Sequence, residues 1–137
     1  MTKLAVEFAG IKAKNPVFTA SGTCGFGQEL NEFFPIEKLG GMMLKGTTLQ
    51  PRLGNPTPRV AESPSGVINC VGLQNPGLQN VLEQQLPWVL QHDLAILQNI
   101  AGSEPAEYAQ LAAALDKVPG LAGLEVNISC PNVRAGG

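Results

Sequence analysis

Short apolar runs recur along this chain, and each gives way to a polar residue at its C-terminal end. Residues 17–20 run into Ser21, residues 42–44 into Lys45, and residues 124–126 into Asn127, while residues 95–100 carry Asn99 next to last. Runs this short, rich in β-branched and other apolar residues, have the composition of buried strands. Between them the apolar period lengthens to three and four residues, the spacing of amphipathic helices. Strands alternating with helices predict an α/β fold with a parallel sheet. A doubly wound sheet gathers ligands only near its switch point. In a (β/α)8 TIM barrel every strand points its C-terminal end at one face, and the active site collects there. Polar groups closing four successive runs favour the barrel.

Taken in order, residues 4–8 and 11–14 read as a hairpin about Ala9 and Gly10, and Asn15 with Pro16 turns the chain into the first run. Residues 28–40 predict a short amphipathic helix or turn closed by Gly40 and Gly41. Residues 50–76, rich in Pro, Gly and Asn, predict a long loop without repetitive structure, and such loops are usually functional. Leu78, Val81, Leu82, Leu86 and Val89 then mark a helix that Pro87 kinks or restarts. Ser103 is the expected N-cap of a later helix, with Pro105, Glu104 and Glu107 in its first turn. Tyr108, Leu111, Ala112 and Leu115 form the apolar stripe of that helix, and Pro119 with Gly120 ends it. The result is an N-terminal hairpin plus about four strand–helix units. A complete barrel takes roughly 250 residues, so residues 1–137 are expected to be the N-terminal half of a single barrel domain.

The last run carries the most chemistry. It leads from Leu124 through Asn127 and Ser129 to Cys130, Pro131 and Asn132. Proline cannot donate to a strand ladder, so the chain leaves the sheet with a thiol and two carboxamides at one point. A thiolate can take a proton or attack carbon, and carboxamides can orient a planar heterocycle by donating and accepting together. A buried cysteine at a strand end followed by turn residues fits the same letters. Lys45 after an apolar run is either a cation set beside an electron-rich ring or a carboxylate, or a lysine reaching from the strand mouth to water. Asn69, Asn99, Asn127 and Asn132 are each ordinary turn or cap residues, and their common placement is what points to a site. Arg52 and Arg59 flank a Pro-rich loop and are expected in structural ion pairs. His92 is expected at a helix C-terminus or in solvent, and Cys24 and Cys70 in small-residue packing.

Composition excludes several alternatives. Net charge is −2, and the nine Lys and Arg do not cluster, so no nucleic-acid surface is expected. No apolar run approaches a membrane span, and the N-terminus lacks the long apolar core of a signal peptide. Three distant cysteines make no disulfide framework, and with one histidine no metal site is expected. These features together predict a cytoplasmic chain. Charged residues are 15% and hydrophobic residues 44%, enough apolar side chains for a core.

Four segments together carry a family resemblance: Lys45 to Leu49 (KGTTL), Arg52 to Arg59 (RLGNPTPR), Asn69 to Gly77 (NCVGLQNPG) and Asn127 to Asn132 (NISCPN). In this order they resemble dihydroorotate dehydrogenase. A cysteine at position 130 is similar to class 1 of that family. Ala20 to Gly27 (ASGTCGFG) and Gln74 to Gly77 (QNPG) are most similar to the NAD-linked class 1B catalytic subunit. The resemblance implies an FMN flavoprotein that oxidises dihydroorotate to orotate in pyrimidine biosynthesis. It implies Cys130 as general base at substrate C5, with hydride passing from C6 to the flavin. Lys45 would serve flavin and substrate, and Ser21, Gly46, Asn99 and Asn127 would line the flavin. Asn69, Cys70, Asn127 and Asn132 would hold the pyrimidine, with the backbone of Val71, Gly72 and Leu73 at the carboxylate. It also implies a homodimer joined by an electron-transfer subunit carrying FAD and a 2Fe–2S cluster, a heterotetramer that passes electrons to NAD⁺. The loops that hold the flavin phosphate in such barrels follow the last strands. Other FMN barrels acting on pyrimidines, dihydropyrimidine dehydrogenase among them, and a non-catalytic half-barrel are the competing readings. Dihydrouridine synthases would show a basic surface for RNA, which the charge disfavours.

Overall fold

The computed structural model describes residues 4–129. Four parallel strands form its centre: β3 (Phe18–Thr19), β4 (Gly41–Met43), β7 (Ala95–Ile100) and β8 (Gly123–Val126), hydrogen-bonded in chain order. The four described strands follow chain order with no switch point among them, as the strands of a barrel do. Ahead of it stands the expected hairpin, β1 (Val6–Phe8) against β2 (Ile11–Ala13). Phe8 packs edge-on against Phe18, with ring centroids 5.4 Å apart, and so ties the hairpin to the first barrel strand.

The helices cover the face built from Met42, Leu44, Ile96 and Ile100. Helix α1 (Gln28–Phe33) and a 3₁₀ turn at Ile36–Lys38 lead into β4. A helical stretch of α2 (Leu78–Asn80), a π turn (Val81–Gln85) and α3 (Leu86–Val89) precedes β7, and α4 (Pro105–Leu115) precedes β8. Ile36, Val81, Leu86, Val89, Leu111 and Leu115 from these elements are each no more than 1% exposed. Side chains of that size contribute about 1.5–3 kcal/mol each on burial. As expected, Pro87 stands in the first turn of a restarted helix, α3, and the turn before it widens, with the Leu86 N–H reaching back to the Val81 carbonyl. Proline lacks the N–H that would meet the Glu83 carbonyl, and its ring crowds that oxygen, which accounts for the wide turn.

Three expectations need correction. Residues 50–76 are not wholly irregular: β5 (Val60–Ser63) and β6 (Gly66–Asn69) pair as an antiparallel hairpin. All eight of its residues are exposed, so no buried face imprints alternation on the sequence. The cap of α4 is Glu104, one residue later than Ser103. Glu104 and Glu107 form a reciprocal capping box, and Glu107 Oε2 also accepts the Ser103 N–H at 2.5 Å. The run at 17–20 shrinks to the two residues of β3, and Val17 is 57% exposed. No helix among the described residues is long and apolar enough to cross a membrane.

Candidate active site

Strand alternation puts every second residue on one face. Asn99 and Glu125 are direct partners in the β7–β8 register. Lys45 follows two residues after Met43, whose partner Leu97 lies two before Asn99, so a cation, an amide and an anion form one row across the C-terminal ends of three strands. Ser21 and Gly22 after β3, Gly46, Leu73, and residues 126–129 complete the wall of a cleft of about 420 Å³ around that row. Ser21, Lys45, Gly46, Leu73, Asn99 and Asn127, all expected site residues, thus meet at one place.

Each is fixed by backbone geometry. The Lys45 N–H donates to the Gly25 carbonyl at 3.0 Å, and the Lys45 carbonyl accepts from Gln98 Nε2 at 2.7 Å. Gln98 is fully buried on the helix-covered face, and the same amino group also reaches Thr47 Oγ1 and the Asn99 carbonyl. One amide therefore clamps the turn that carries Lys45 and Gly46. The Asn127 N–H donates to the Ile100 carbonyl, its carbonyl accepts from the Tyr108 hydroxyl at 2.6 Å, and its Oδ1 accepts from the Ser129 N–H. Asn75, buried under the loop, accepts the N–H groups of Thr48 and Gly77 and donates to the Leu73 carbonyl at 2.9 Å. That latch brings Leu73 over Gly46.

The remaining expected residues are not among those lining this cleft, or fall outside the described residues. Asn69 and Cys70 are exposed at the end of the β5–β6 hairpin. The loop after them is tied down through Asn55, whose N–H meets the Val71 carbonyl and whose Nδ2 meets the Cys70 carbonyl. Val71 and Gly72 do not line the cleft. Cys130 and Asn132 fall beyond residue 129. Cys24 packs half-buried against the core as expected, whereas Cys70 does not. Arg59 is structural, but its partners among the described residues are neutral: the carbonyls of Leu53 and Asn55 and Oε1 of Gln74. His92 is drawn out of solvent by Glu37 at 2.6 Å and by the Trp88 ring. The hydrogen bond from His92 holds the Glu37 carboxyl below the ordinary carboxylate range. Sequence reasoning missed Glu125, Gln98 and Asn75. A polar residue in a wholly buried strand, such as Gln98, must find partners, and that signal was present in the chain.

The cleft suits a planar, polar ring. Asn99 is 4% exposed, and its Oδ1 has no hydrogen-bond partner among the described residues. Gly46 lacks the Cβ that would stand 2.8 Å from that oxygen and 3.0 Å from Leu73 Cδ1. An unsatisfied acceptor beside a cradle kept open by glycine fits a flat heterocycle with an N–H at its edge. Lys45 is the one cation among the described lining residues, enough for a ring carbonyl. No group of three or more potential metal ligands occurs among the described residues.

Comparison with known proteins agrees with this geometry. The family model for dihydroorotate dehydrogenase matches residues 3–137. Over all 137 residues the chain is 55% identical to the "Dihydroorotate dehydrogenase B (NAD(+)), catalytic subunit" of Geobacillus sp. (strain WCH70) and of Bacillus caldolyticus, and 52% identical to that of Bacillus thuringiensis (strain Al Hakam). It spans 44% of the length of each of these relatives. The crystal structure of the Eimeria tenella dihydroorotate dehydrogenase, solved with ferulenol, superposes with a TM-score of 0.75 at 25% identity, over 96% of this chain and 38% of that one. Sheet order, the row of polar residues at the strand ends and the match along nearly the whole sequence agree: the chain belongs to the dihydroorotate dehydrogenase family.

Proposed function

We propose that the polypeptide carrying these residues oxidises dihydroorotate to orotate in pyrimidine biosynthesis, as the FMN-bearing catalytic subunit of an NAD⁺-linked enzyme. Residues 1–137 are then the N-terminal half of its single barrel domain. The observation that supports this best is the meeting of Ser21, Lys45, Gly46, Asn99 and Asn127 in one cleft at the strand C-termini. FMN, when bound, supplies the acceptor for the electron pair that leaves the substrate. The chain's own residues bind, orient and move the proton. Lys45 donates to ring acceptors, while Asn99 and Ser21 meet the edge of the cofactor. Asn69, Asn127 and Asn132, each able to donate and accept, hold the substrate pyrimidine, with Cys70 beside it. The backbone of Val71, Gly72 and Leu73 receives its carboxylate. Cys130, as thiolate, takes the C5 proton; the C6 hydrogen departs with its electron pair, and the C5–C6 double bond closes. A thiol serves as base near neutral pH when a nearby cation favours the thiolate, and Lys45 is the candidate.

By the same reading the subunit acts in the cytoplasm, where its free thiols stay reduced. It works as a homodimer with a second subunit whose FAD and 2Fe–2S cluster carry the electrons to NAD⁺. The test is Cys130→Ser in the full-length protein. FMN should stay bound, while flavin reduction by dihydroorotate slows by about 10²–10⁴-fold, the usual share of a general base. Reduction at the parent rate would refute the assignment.

A further inference from the structure

A carboxamide as deeply buried as Asn99 has two ends to account for. Its Nδ2 donates to Glu125 Oε2 at 2.5 Å and lies 3.4 Å from Ser21 Oγ. Its Oδ1 is unpartnered among the described residues and faces the open side of Gly46. An ionised carboxylate only accepts, so whichever end of Asn99 faces Glu125 must be the amino end. The carbonyl end is then committed to the cleft. The two ends of an amide are nearly the same shape, and packing alone would not choose between them. Glu125 is half-buried, lines the same cleft, and is the register partner of Asn99 on β8, so its carboxylate is placed by the sheet itself.

We propose that Glu125 is a positioning residue for the flavin: its carboxylate locks the Asn99 carboxamide so that an acceptor oxygen faces the N–H edge of the bound ring. The inference rests on the flavin reading of the cleft. A carboxylate that served only to join β7 to β8 would alter stability and leave cofactor affinity alone. A charge-assisted bond of this length that selects an amide orientation alters affinity.

The experiment is an FMN titration of full-length apoprotein, followed by flavin fluorescence, with thermal melting alongside. Glu125→Gln keeps the shape but can turn its amino end toward Asn99, so FMN should bind about tenfold more weakly. Asn99→Asp sets two carboxylates against each other, and its affinity should fall as pH rises above the ordinary carboxylate range. Combining Asn99→Asp with Glu125→Gln reverses donor and acceptor and again leaves an oxygen toward Gly46. The double variant should bind FMN more tightly than Asn99→Asp alone. Parent-like affinity in Glu125→Gln, or a double variant no better than Asn99→Asp, would overturn the proposal. If Glu125→Gln does not fold, Asn99→Asp decides alone, and an affinity indifferent to pH overturns it. A parent apoprotein that takes up no FMN would instead overturn the flavin reading.

Discussion

Gly46→Ala adds a single methyl to the cleft, and its effect can be worked from contacts. The added methyl would stand 2.8 Å from Asn99 Oδ1, whereas ordinary contact begins at 3.4 Å, so about 0.6 Å must be found. Leu73 Cδ1, at 3.0 Å, is the end of a flexible side chain and can rotate away. Asn99 cannot move freely, because Glu125 holds its other end at 2.5 Å. A shift of that size stretches or tilts this bond, and hydrogen bonds to charged groups are worth about 1.5–3 kcal/mol. Losing about half of one corresponds to roughly 3–10-fold in affinity, at 1.4 kcal/mol per tenfold. Gly46 has no positive φ, so the change adds contact without backbone strain. FMN titration of the full-length variant reads the effect directly. Gly66→Ala on the exposed hairpin is the control, since a Cβ there meets nothing within 4 Å. If Gly46→Ala binds FMN within twofold of Gly66→Ala, the cradle made by Gly46 and Asn99 does not hold the ring.

Lys45→Ala should weaken FMN retention and also slow reduction per bound flavin; a change in melting temperature alone would make Lys45 structural. Glu37→Gln should flatten the acid limb of stability: the carboxyl, held below its usual 4.5 mainly by the His92 hydrogen bond, contributes above that pH and loses its contribution as pH falls through the lowered value. A parent and variant that lose melting temperature in parallel below 4.5 would show the pair to be without effect. Residues 1–137 produced as an isolated polypeptide should be colourless with added FMN and should self-associate, since Val17 at one side of the sheet and Val126 and Ile128 at the other are more than half exposed. A monodisperse yellow monomer on gel filtration would contradict this.

β7 was legible because all six of its residues are buried and four of them are apolar, whereas β8 holds no fully buried residue and was legible only as an apolar run ending in Asn127. The β5–β6 hairpin was not legible because it buries nothing. The cap of α4 was half legible: Pro105 at the first helical position already places the cap on the residue before it, Glu104, and Ser103 was the stronger letter only by propensity. Glu125 was hidden by the very alternation that marks a strand. Between Leu124 and Val126 a glutamate reads as the solvent side, yet near the mouth of a barrel the side away from the helices is the site. Only the pairing of β7 with β8, which is set over a distance of 26 residues, shows that it faces Asn99.

That pairing bears on how the site holds its shape. Ser21 meets Asn99 across 78 residues, the Lys45 turn meets Gln98 across 53, and Asn127 meets Tyr108 across 19. Few of the contacts that orient the cleft are local, so the sheet register carries the precision. The loops bring the chemistry: Leu73 reaches the row because Asn75 latches its loop to Thr48 and Gly77, not because the hairpin before it is packed. Residues 60–68 of the exposed hairpin can vary in sequence without moving the cleft, whereas a change at Gln98 or Asn75, neither of which lines it, would shift Lys45 or Leu73 directly. Buried amides that clamp backbone turns are therefore as much a part of this cleft as the groups that line it.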